Sequence, residues 1–166
     1  MIKKPILNIA DVELSHTKHG ENFEAQVGSM AAKIGAQKLG CRLTVVPPGK
    51  KAWPFHSHHA NEEMFLILEG TGSYRLGQET YPIKAGDLLS APVGGAETAH
   101  QIINDSTAPL KYLAMSTMHE PDIMEYPDSK KFGVFAGSAP GGAKADRRFS
   151  AFAFLDDTVG YWEDEE

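Results

Sequence analysis

Three histidines occur close together in the chain, at His56, His58 and His59. In an extended segment, residues two apart point to the same side, so His56 and His58 can reach a common point while His59 faces away. Glu63 follows five residues after His58, and His100 begins a predicted strand further along the chain. Three imidazoles and one carboxylate suit a divalent transition metal such as Fe, Mn, Ni, Co or Zn. The pattern therefore predicts a metal site with positions left open for water or substrate.

A simpler interpretation of the same residues is a histidine-rich turn that is exposed to solvent and binds nothing. The positions of Glu63 and His100 at the starts of predicted strands favour the metal site over this alternative. Glu62 is the neighbouring alternative to Glu63, because side chains alternate along a strand and only one of the two can face inward. The remaining histidines are expected at the surface, and they are His16, His19 and His119.

Short strands must position these side chains, and the signals for strands lie almost entirely in residues 36–117. The segment Glu63–Glu69 is apolar on both faces, which is typical of a strand buried on both sides. The other predicted strands cover residues 36–46, 73–76, 79–83, 87–91, 100–104 and 110–117, with glycine, proline and asparagine turns between them. Strands that recur about every eight to twelve residues indicate an antiparallel sandwich or barrel.

The flanking segments lack this regular pattern. Residues 1–35 are predicted to be an N-terminal arm with a short helical turn near residues 29–34, and residues 118–166 a C-terminal arm rich in glycine and proline. Both arms are expected to be irregular and to pack on the barrel of residues 36–117. The chain is thus predicted to form a single domain.

Two spaced motifs carry a resemblance to a known family. The first is Gly49-x6-His56-x-His58-x4-Glu63-x6-Gly70, and the second is Gly86-x5-Pro92-x-Gly94 followed by His100-x3-Asn104. Together they resemble the two signatures of the cupin superfamily. The resemblance implies an all-β double-stranded β-helix, or jelly-roll, barrel. It also implies that His56, His58, Glu63 and His100 hold the metal, with Glu63 preferred to Glu62.

This sequence departs from the family pattern at two points. One extra residue precedes His56, in a segment predicted to be a loop. Five residues separate Gly94 from His100, where the family often has two. The longer glycine-rich loop makes His100 the ligand whose position is most open to displacement.

The fold does not fix the function, because cupins include isomerases, dioxygenases, epimerases and binding modules. Residues 125–131 and 161–163 are similar to small bacterial single-domain cupins that are often described as sugar-phosphate isomerases. An isomerase would use the metal to polarise a carbonyl or enediolate oxygen while a nearby base moves a proton. The alternatives are an Fe-dependent dioxygenase and a non-catalytic module that binds a small carbohydrate or acid.

A phosphorylated substrate would need cations near the mouth of the barrel. Lys51 and Arg75 are candidates for this role, although the simpler interpretation of each is an ordinary surface charge. Tyr74 and Glu97 are candidates for substrate contact or proton transfer. Two further lysines lie near the same segments, at Lys50 and Lys84.

The distribution of charge limits the partners of the chain. The 166 residues contain 16 Lys and Arg against 22 Asp and Glu, a formal net charge of −6. Six of the acids, Asp156, Asp157 and residues 163–166, lie at the C-terminal end without any base, so residues 1–155 are formally neutral. A balanced body without a basic cluster argues against nucleic acid or an anionic membrane as the main partner. It does not disfavour an anionic substrate.

The remaining signals concern compartment and assembly. Cys41 is the single cysteine, which excludes an intrachain disulfide, and its alternation with apolar residues predicts a buried core thiol. No signal peptide or membrane-spanning segment is recognisable, so a cytoplasmic protein is expected. A homodimer is expected as well, since a partner chain could cover part of the two-sided apolar strand Glu63–Glu69.

Overall fold

The computed structural model describes residues 4–165, which leaves Lys3 and Glu166, both part of the charge pattern, outside the described residues. Within this range no helix exceeds four residues, and none is long and apolar enough to cross a membrane. The strands are β1 (Ser15–His19), β2 (Phe23–Ser29), β3 (Leu39–Val46), β4 (Ser57–His58), β5 (Glu63–Glu69), β6 (Thr71–Leu76), β7 (Glu79–Lys84), β8 (Leu88–Ala91), β9 (His100–Ile103), β10 (Leu110–Thr117), β11 (Asp122–Tyr126), β12 (Lys131–Ala136) and β13 (Phe149–Phe154). Single 3₁₀ turns occur at Ile9–Asp11, Ala31–Ile34, Ala96–Thr98, Pro127–Ser129, Lys144–Asp146 and Leu155–Asp157.

The strands form three sheets in which every ladder is antiparallel. The six-stranded sheet has the order β1-β2-β3-β10-β5-β8, the four-stranded sheet β13-β12-β11-β4, and the three-stranded sheet β7-β6-β9. Consecutive strands frequently lie in different sheets, as expected for a jelly roll. The predicted all-β jelly-roll barrel is confirmed.

The main core lies between the six-stranded and three-stranded sheets. Phe65 and Ile67 of β5 and Tyr112 of β10 pack in one cluster with Tyr74 of β6 and Ile102 of β9. Each such side chain stabilises the fold by roughly 1.5–3 kcal/mol when it is fully buried. The core therefore fixes β5 and β9 relative to one another, and these strands carry Glu63 and His100.

Strand β5 has the predicted bounds, but it is not buried equally on its two faces. Phe65 and Ile67 are buried, whereas Met64 on the opposite face is 41% exposed. The expectation of a strand buried on both sides is therefore only half correct. Cys41 also differs from its prediction, because it is only partly buried and lines a cavity rather than filling the core.

The two arms contain regular strands, although an irregular conformation was predicted. Strands β1 and β2 extend the six-stranded sheet through pairing of β2 with β3. Strands β11, β12 and β13 form the four-stranded sheet with β4. The sequence signal for β1 (Ser-His-Thr-Lys-His) was missing because this strand contains no aliphatic residue. The short turn predicted near residues 29–34 is present at Ala31–Ile34.

Candidate metal centre

One carboxylate oxygen, Oε2 of Glu63, lies at the centre of the predicted cluster. It is 2.9 Å from Nε2 of His100, 3.6 Å from Nε2 of His58 and 4.0 Å from Nε2 of His56. The potential ligand atoms of His56, His58 and Glu63 lie within 4.8 Å of one another. The His100 ring is further from His58, with 6.3 Å between the centroids. The fold thus brings all four predicted residues together, with His100 at the edge of the tighter group of three.

Neighbouring strands position these four side chains. Glu63 and His100 are the first residues of β5 and β9, and His58 is in the short strand β4. His56 and His100 form a backbone bridge, in which His100 N donates to His56 O at 2.7 Å and His56 N donates to His100 O at 3.2 Å. This bridge holds His100 close to the histidine segment in spite of the longer loop before it. That loop contains the 3₁₀ turn Ala96–Thr98.

The second ring nitrogens of two histidines have fixed partners. Nδ1 of His56 donates to the carbonyl oxygen of Pro54 at 2.7 Å, and Nδ1 of His58 donates to Oδ2 of Asp122 at 2.7 Å. Carbonyl and carboxylate oxygens only accept, so in each neutral ring the proton is on Nδ1 and the lone pair on Nε2 is free. Such outer partners orient the histidine ligands of metals. The rings are therefore held in the tautomer and orientation that metal ligation needs.

Asp122 is a site residue that sequence reasoning missed. It is 1% exposed, and its Oδ1 also accepts from the backbone N–H of Ala60 at 2.9 Å. It lies in the C-terminal arm, far from both motifs in sequence, and no local pattern around it indicates a site. Only the pairing of β11 with β4 brings it to His58.

The electrostatic environment favours neutral imidazoles beside an ionised carboxylate. Burial, followed by the neighbouring His100, lowers the pKa of His56 to about 3. Burial alone would raise the pKa of Glu63, but the hydrogen bond with His100 and the surrounding imidazoles lower it to about 2. His58 differs: burial alone would lower its pKa, but the hydrogen bond with Asp122 and the negative charges of Glu63 and Asp122 together raise it. Apart from the proton that His58 must release and the Nε2 proton that His100 donates to Glu63, these are the protonation states of metal ligands, so the residues fit the group that the family implies.

The alternatives and the remaining histidines lie away from the cluster. Glu62 is exposed, and His59 faces away and pairs with Glu125. The three histidines expected at the surface are all exposed, namely His16, His19 and His119. As expected from side-chain alternation along an extended segment, Glu62 and His59 point away from the cluster that Glu63 and His58 join.

A cavity of about 750 Å³ opens from the cluster. This volume suits a small metabolite. Its wall is largely aromatic and apolar, and Arg42 and Arg147 contribute the cationic groups. The aromatic and thioether side chains beside the cluster are Phe65, Tyr112, Met124, Tyr126 and Phe135. None of these wall residues was singled out from the sequence as part of a site, because they come from five separate strands and from the segment that contains Arg147.

The candidates for substrate contact lie outside this cavity. Arg75 forms a two-pronged ion pair with Asp128, at 2.8 and 3.0 Å, and Tyr74 donates to the carbonyl oxygen of Ser90. Glu97 accepts from the backbone N–H of Gly95 in its own loop. Lys51 lines a second cavity of about 380 Å³. Roles for these four residues remain predictions.

Comparison with known proteins gives partial matches over the barrel. The family described as "Cupin domain" matches residues 42–116. An uncharacterised protein of Methanocaldococcus jannaschii is 39% identical over 72 residues, which are 43% of this chain and 54% of that protein. The chain therefore spans only about half the length of that relative.

Two further proteins match more of the chain. The oxalate-binding protein of Thermotoga maritima is 31% identical over 96 residues, covering 58% of this chain and 75% of the relative. A crystal structure from Acidithiobacillus ferrooxidans, provisionally described as a sugar phosphate isomerase, superposes with a TM-score of 0.78 at 26% identity. The superposition covers 95% of this chain and 96% of the other. With the jelly-roll fold and both motifs in place, these matches establish that the chain belongs to the cupin superfamily.

Proposed function

We propose that this cupin is a metal-dependent enzyme that acts on a small polar metabolite, with isomerisation of a sugar phosphate as the reaction. One observation carries the metal part of the proposal: the Nε2 atoms of three histidines surround a single oxygen of Glu63. His56, His58, Glu63 and His100 would hold one divalent transition metal. When bound, the metal would act as a Lewis acid toward a carbonyl or enediolate oxygen.

The protein groups around the ligands have separate tasks. The carbonyl oxygen of Pro54 and the carboxylate of Asp122 hold two imidazoles in the required orientation. The rings of Phe65 and Tyr126 lie 5.5 Å from His100 and 6.1 Å from His56, between centroids, and reduce the access of water to the ligands. A site partly shielded from water strengthens the electrostatic interactions made with the substrate.

The choice of isomerisation rests on likeness over nearly the whole chain to the Acidithiobacillus protein. A non-catalytic binding module is the second candidate. It is favoured by the positions of Tyr74 and Glu97, because neither candidate for proton transfer lines the cavity. The relative named as an oxalate-binding protein is also consistent with this second candidate.

Metal analysis of the purified protein tests the metal site. We expect about one transition metal per chain, and the double variant His56→Ala/His58→Ala should contain none. His59→Ala is the matched control, since this neighbouring imidazole faces away from the cluster, and it should retain the metal. A wild-type protein that binds no metal under metal-replete conditions would overturn the proposal.

A screen of aldose and ketose phosphates separates the two candidate functions. Metal-dependent interconversion of one such pair supports the isomerase. Saturable binding without turnover supports the binding module and contradicts the isomerase.

We also propose that the protein is a homodimer that uses the apolar surface of β13 and the following tail. Phe149, Phe152 and Phe154 are each more than half exposed, and further along Tyr161 and Trp162 are more exposed still. A stable interface buries about 800 Å² per partner, and fully exposed aromatic side chains offer about 150–250 Å² each. The surface of β13 and its tail thus offers apolar area for a second copy to cover.

A further inference from the structure

We propose that Arg42 and Arg147 form an oxyanion-binding site in the same cavity as the histidine cluster, and that they bind a carboxylate or phosphate group of the metabolite. This inference rests on the proposed function, because it names the substrate class of the same site. The roles of the four metal-binding side chains stay as proposed above. The arginines would bind the part of the small molecule that does not contact the metal.

The first support is the absence of a charge partner for either guanidinium. Among residues 4–165, no carboxylate lies within 4.0 Å of Arg42 or Arg147. Two other arginines are paired, Arg75 with Asp128 and Arg148 with Glu120. The two arginines that line the cavity are therefore the ones left available to an anion.

The evidence for anion binding is stronger for Arg147 than for Arg42. Its Nε is buried, yet no hydrogen-bond acceptor among the described residues reaches it. A buried donor without a partner costs roughly 1–3 kcal/mol, and more when the group is charged. An acceptor supplied by a ligand would remove this cost.

Aromatic rings hold both guanidinium groups in place. The Arg42 guanidinium carbon lies 5.6 Å from the centroid of Trp53, and that of Arg147 lies 4.9 Å from the centroid of Phe135. A guanidinium that rests on an aromatic face keeps its N–H edge free for hydrogen bonding in its own plane. Such an edge matches the two oxygens of a carboxylate or a phosphate.

The loop at residues 138–143 fixes Arg42 from the other side. Nη2 of Arg42 donates to the carbonyl oxygen of Gly141 at 3.3 Å. Gly141 has φ = +85°, and a Cβ there would lie 2.7 Å from Nη2. Glycine at this position therefore permits both the turn and the close approach of the guanidinium.

Two tyrosines connect the arginines with the metal ligands. Burial raises the pKa of Tyr126 to about 12, and the positive charge of Arg147 opposes this rise. Burial likewise raises the pKa of Tyr112, and Arg42 again opposes it. The Tyr126 ring stacks 6.1 Å from His56, and both tyrosines line the cavity together with the two arginines. A ligand with an oxygen at the cluster and an anionic group at the arginines would contact both.

The charges in the cavity are consistent with this orientation. The negative charge of Glu63 is at the histidine end, while Asp146, the other carboxylate of the wall, is exposed and does not pair with either arginine. Two unpaired cations in a largely apolar wall favour an anionic ligand, because a desolvated charge is costly without a partner. The substrate class is therefore a small hydroxy or carbonyl compound with a carboxylate or phosphate group.

Calorimetric titration of the purified protein tests the site with three probes: glycerol 3-phosphate, glycolate and uncharged glycerol. We expect the anions to bind and glycerol to bind at least tenfold more weakly. Arg42→Ala and Arg147→Ala should each reduce anion affinity about tenfold or more, and Arg147→Lys should fall between wild type and Arg147→Ala. Tighter binding of glycerol 3-phosphate than of glycolate identifies phosphate as the group, and the reverse order identifies carboxylate.

Arg148→Ala is the matched control, because this neighbouring arginine pairs with Glu120 and does not line the cavity. It should bind the anions like wild type, and metal content should be unchanged in every arginine variant. If circular dichroism shows that either alanine variant is unfolded, Arg42→Lys and Arg147→Lys are compared with wild type instead. Anion affinities equal to wild type in the folded variants, or equal binding of glycerol and the anions, would overturn the proposal. Repeating the titration on metal-stripped protein separates the anion site from the proposed metal site. If anion affinity there still depends on Arg42 and Arg147, the anion site does not require a metal.

Discussion

The two ring nitrogens of His58 have different functions in the site. Its Nε2 faces Glu63, while its Nδ1 donates to the buried Asp122. The carboxylate stabilises the Nδ1–H tautomer and prevents rotation of the ring. Asp122 in turn accepts a hydrogen bond from Ala60 N and is buried, so the orientation of His58 depends on a residue that would not itself contact the metal.

Asp122→Asn should therefore weaken metal binding without removing a ligand. Loss of such an outer partner typically costs 10–100-fold in metal affinity. Competition with a chelator measures this affinity directly. Asp105→Asn is the control, because this exposed carboxylate bonds only to Ser73 among the described residues. An unchanged affinity in Asp122→Asn would show that Asp122 does not orient His58.

The same pair predicts a pH dependence for the stability of the metal-free protein. Burial alone would raise the pKa of Asp122, but hydrogen bonds from His58, Asn61 and Ala60 and the charge of His58 together lower it from its ordinary 3.8. The contribution of Asp122 to stability is therefore present above that pH and is lost as pH falls. The pKa of His58 is raised from its ordinary 6.5, so its contribution is present below 6.5 and is lost as pH rises through the raised value. The difference in free energy of unfolding between wild type and Asp122→Asn should thus be largest between about pH 4 and 6.5. Urea unfolding across this range checks it, and a difference that does not vary with pH would contradict the coupling.

At the scale of elements, the hydrophobic core keeps the ligand-bearing strands in register. Ile67 of β5 is 1% exposed, and it belongs to the cluster that joins β5 to β9 through Ile102. A shift of β5 by one residue would turn Glu63 away from the histidines. The core thus defines the position of the carboxylate as well as the stability of the barrel.

Ile67→Ala should lower the free energy of unfolding by about 2–5 kcal/mol, because it leaves a cavity in this core. Leu88→Ala on the neighbouring strand β8 is the control, since this side chain is 61% exposed, and its effect should stay within about 0.5 kcal/mol. Chemical denaturation of both variants gives the comparison. Equal losses would mean that β5 does not depend on its buried face.

Local patterns predicted the elements that carry strong alternation or apolar runs. Strands β5 and β10 have the predicted bounds, and both motifs led to His56, His58, Glu63 and His100, which lie together in the fold. The sequence did not indicate β4 or β11, because two polar residues in one case and Asp-Ile-Met-Glu-Tyr in the other give no clear period. Asp122 and Arg147 were missed for a related reason. Their roles arise from contacts between segments far apart in sequence, which no local pattern records.

At the scale of the whole molecule, the C-terminal part presents most of the large exposed apolar side chains. Phe152 packs on Phe135 at 5.5 Å and still remains 58% exposed, and Phe154 is 53% exposed. Apolar surface of this extent typically marks an interaction site. Four acids, residues 163–166, end the tail, and the last of them, Glu166, lies outside the described residues.

The double variant Phe154→Ser/Trp162→Ser should convert the proposed dimer to a monomer, because it removes two of the five exposed aromatic groups of this surface. Light scattering at micromolar concentration measures the mass. Ile6→Ser is the control, since this equally exposed apolar residue lies at the other end of the chain. A wild-type protein that is monomeric at this concentration would refute the dimer.

The pairing of β4 with β11 limits how the domain can be divided. The segment that matches the family, residues 42–116, contains all four candidate ligands, yet Asp122 and most of one cavity wall come from beyond it. If that segment were grafted onto another scaffold, it would contain the metal-binding atoms but would lack Asp122, which orients the His58 ring. The smallest segment that could be transferred with the candidate metal centre is therefore longer than residues 42–116 and extends at least to Asp122, and it extends to Arg147 if the cavity wall is to be kept.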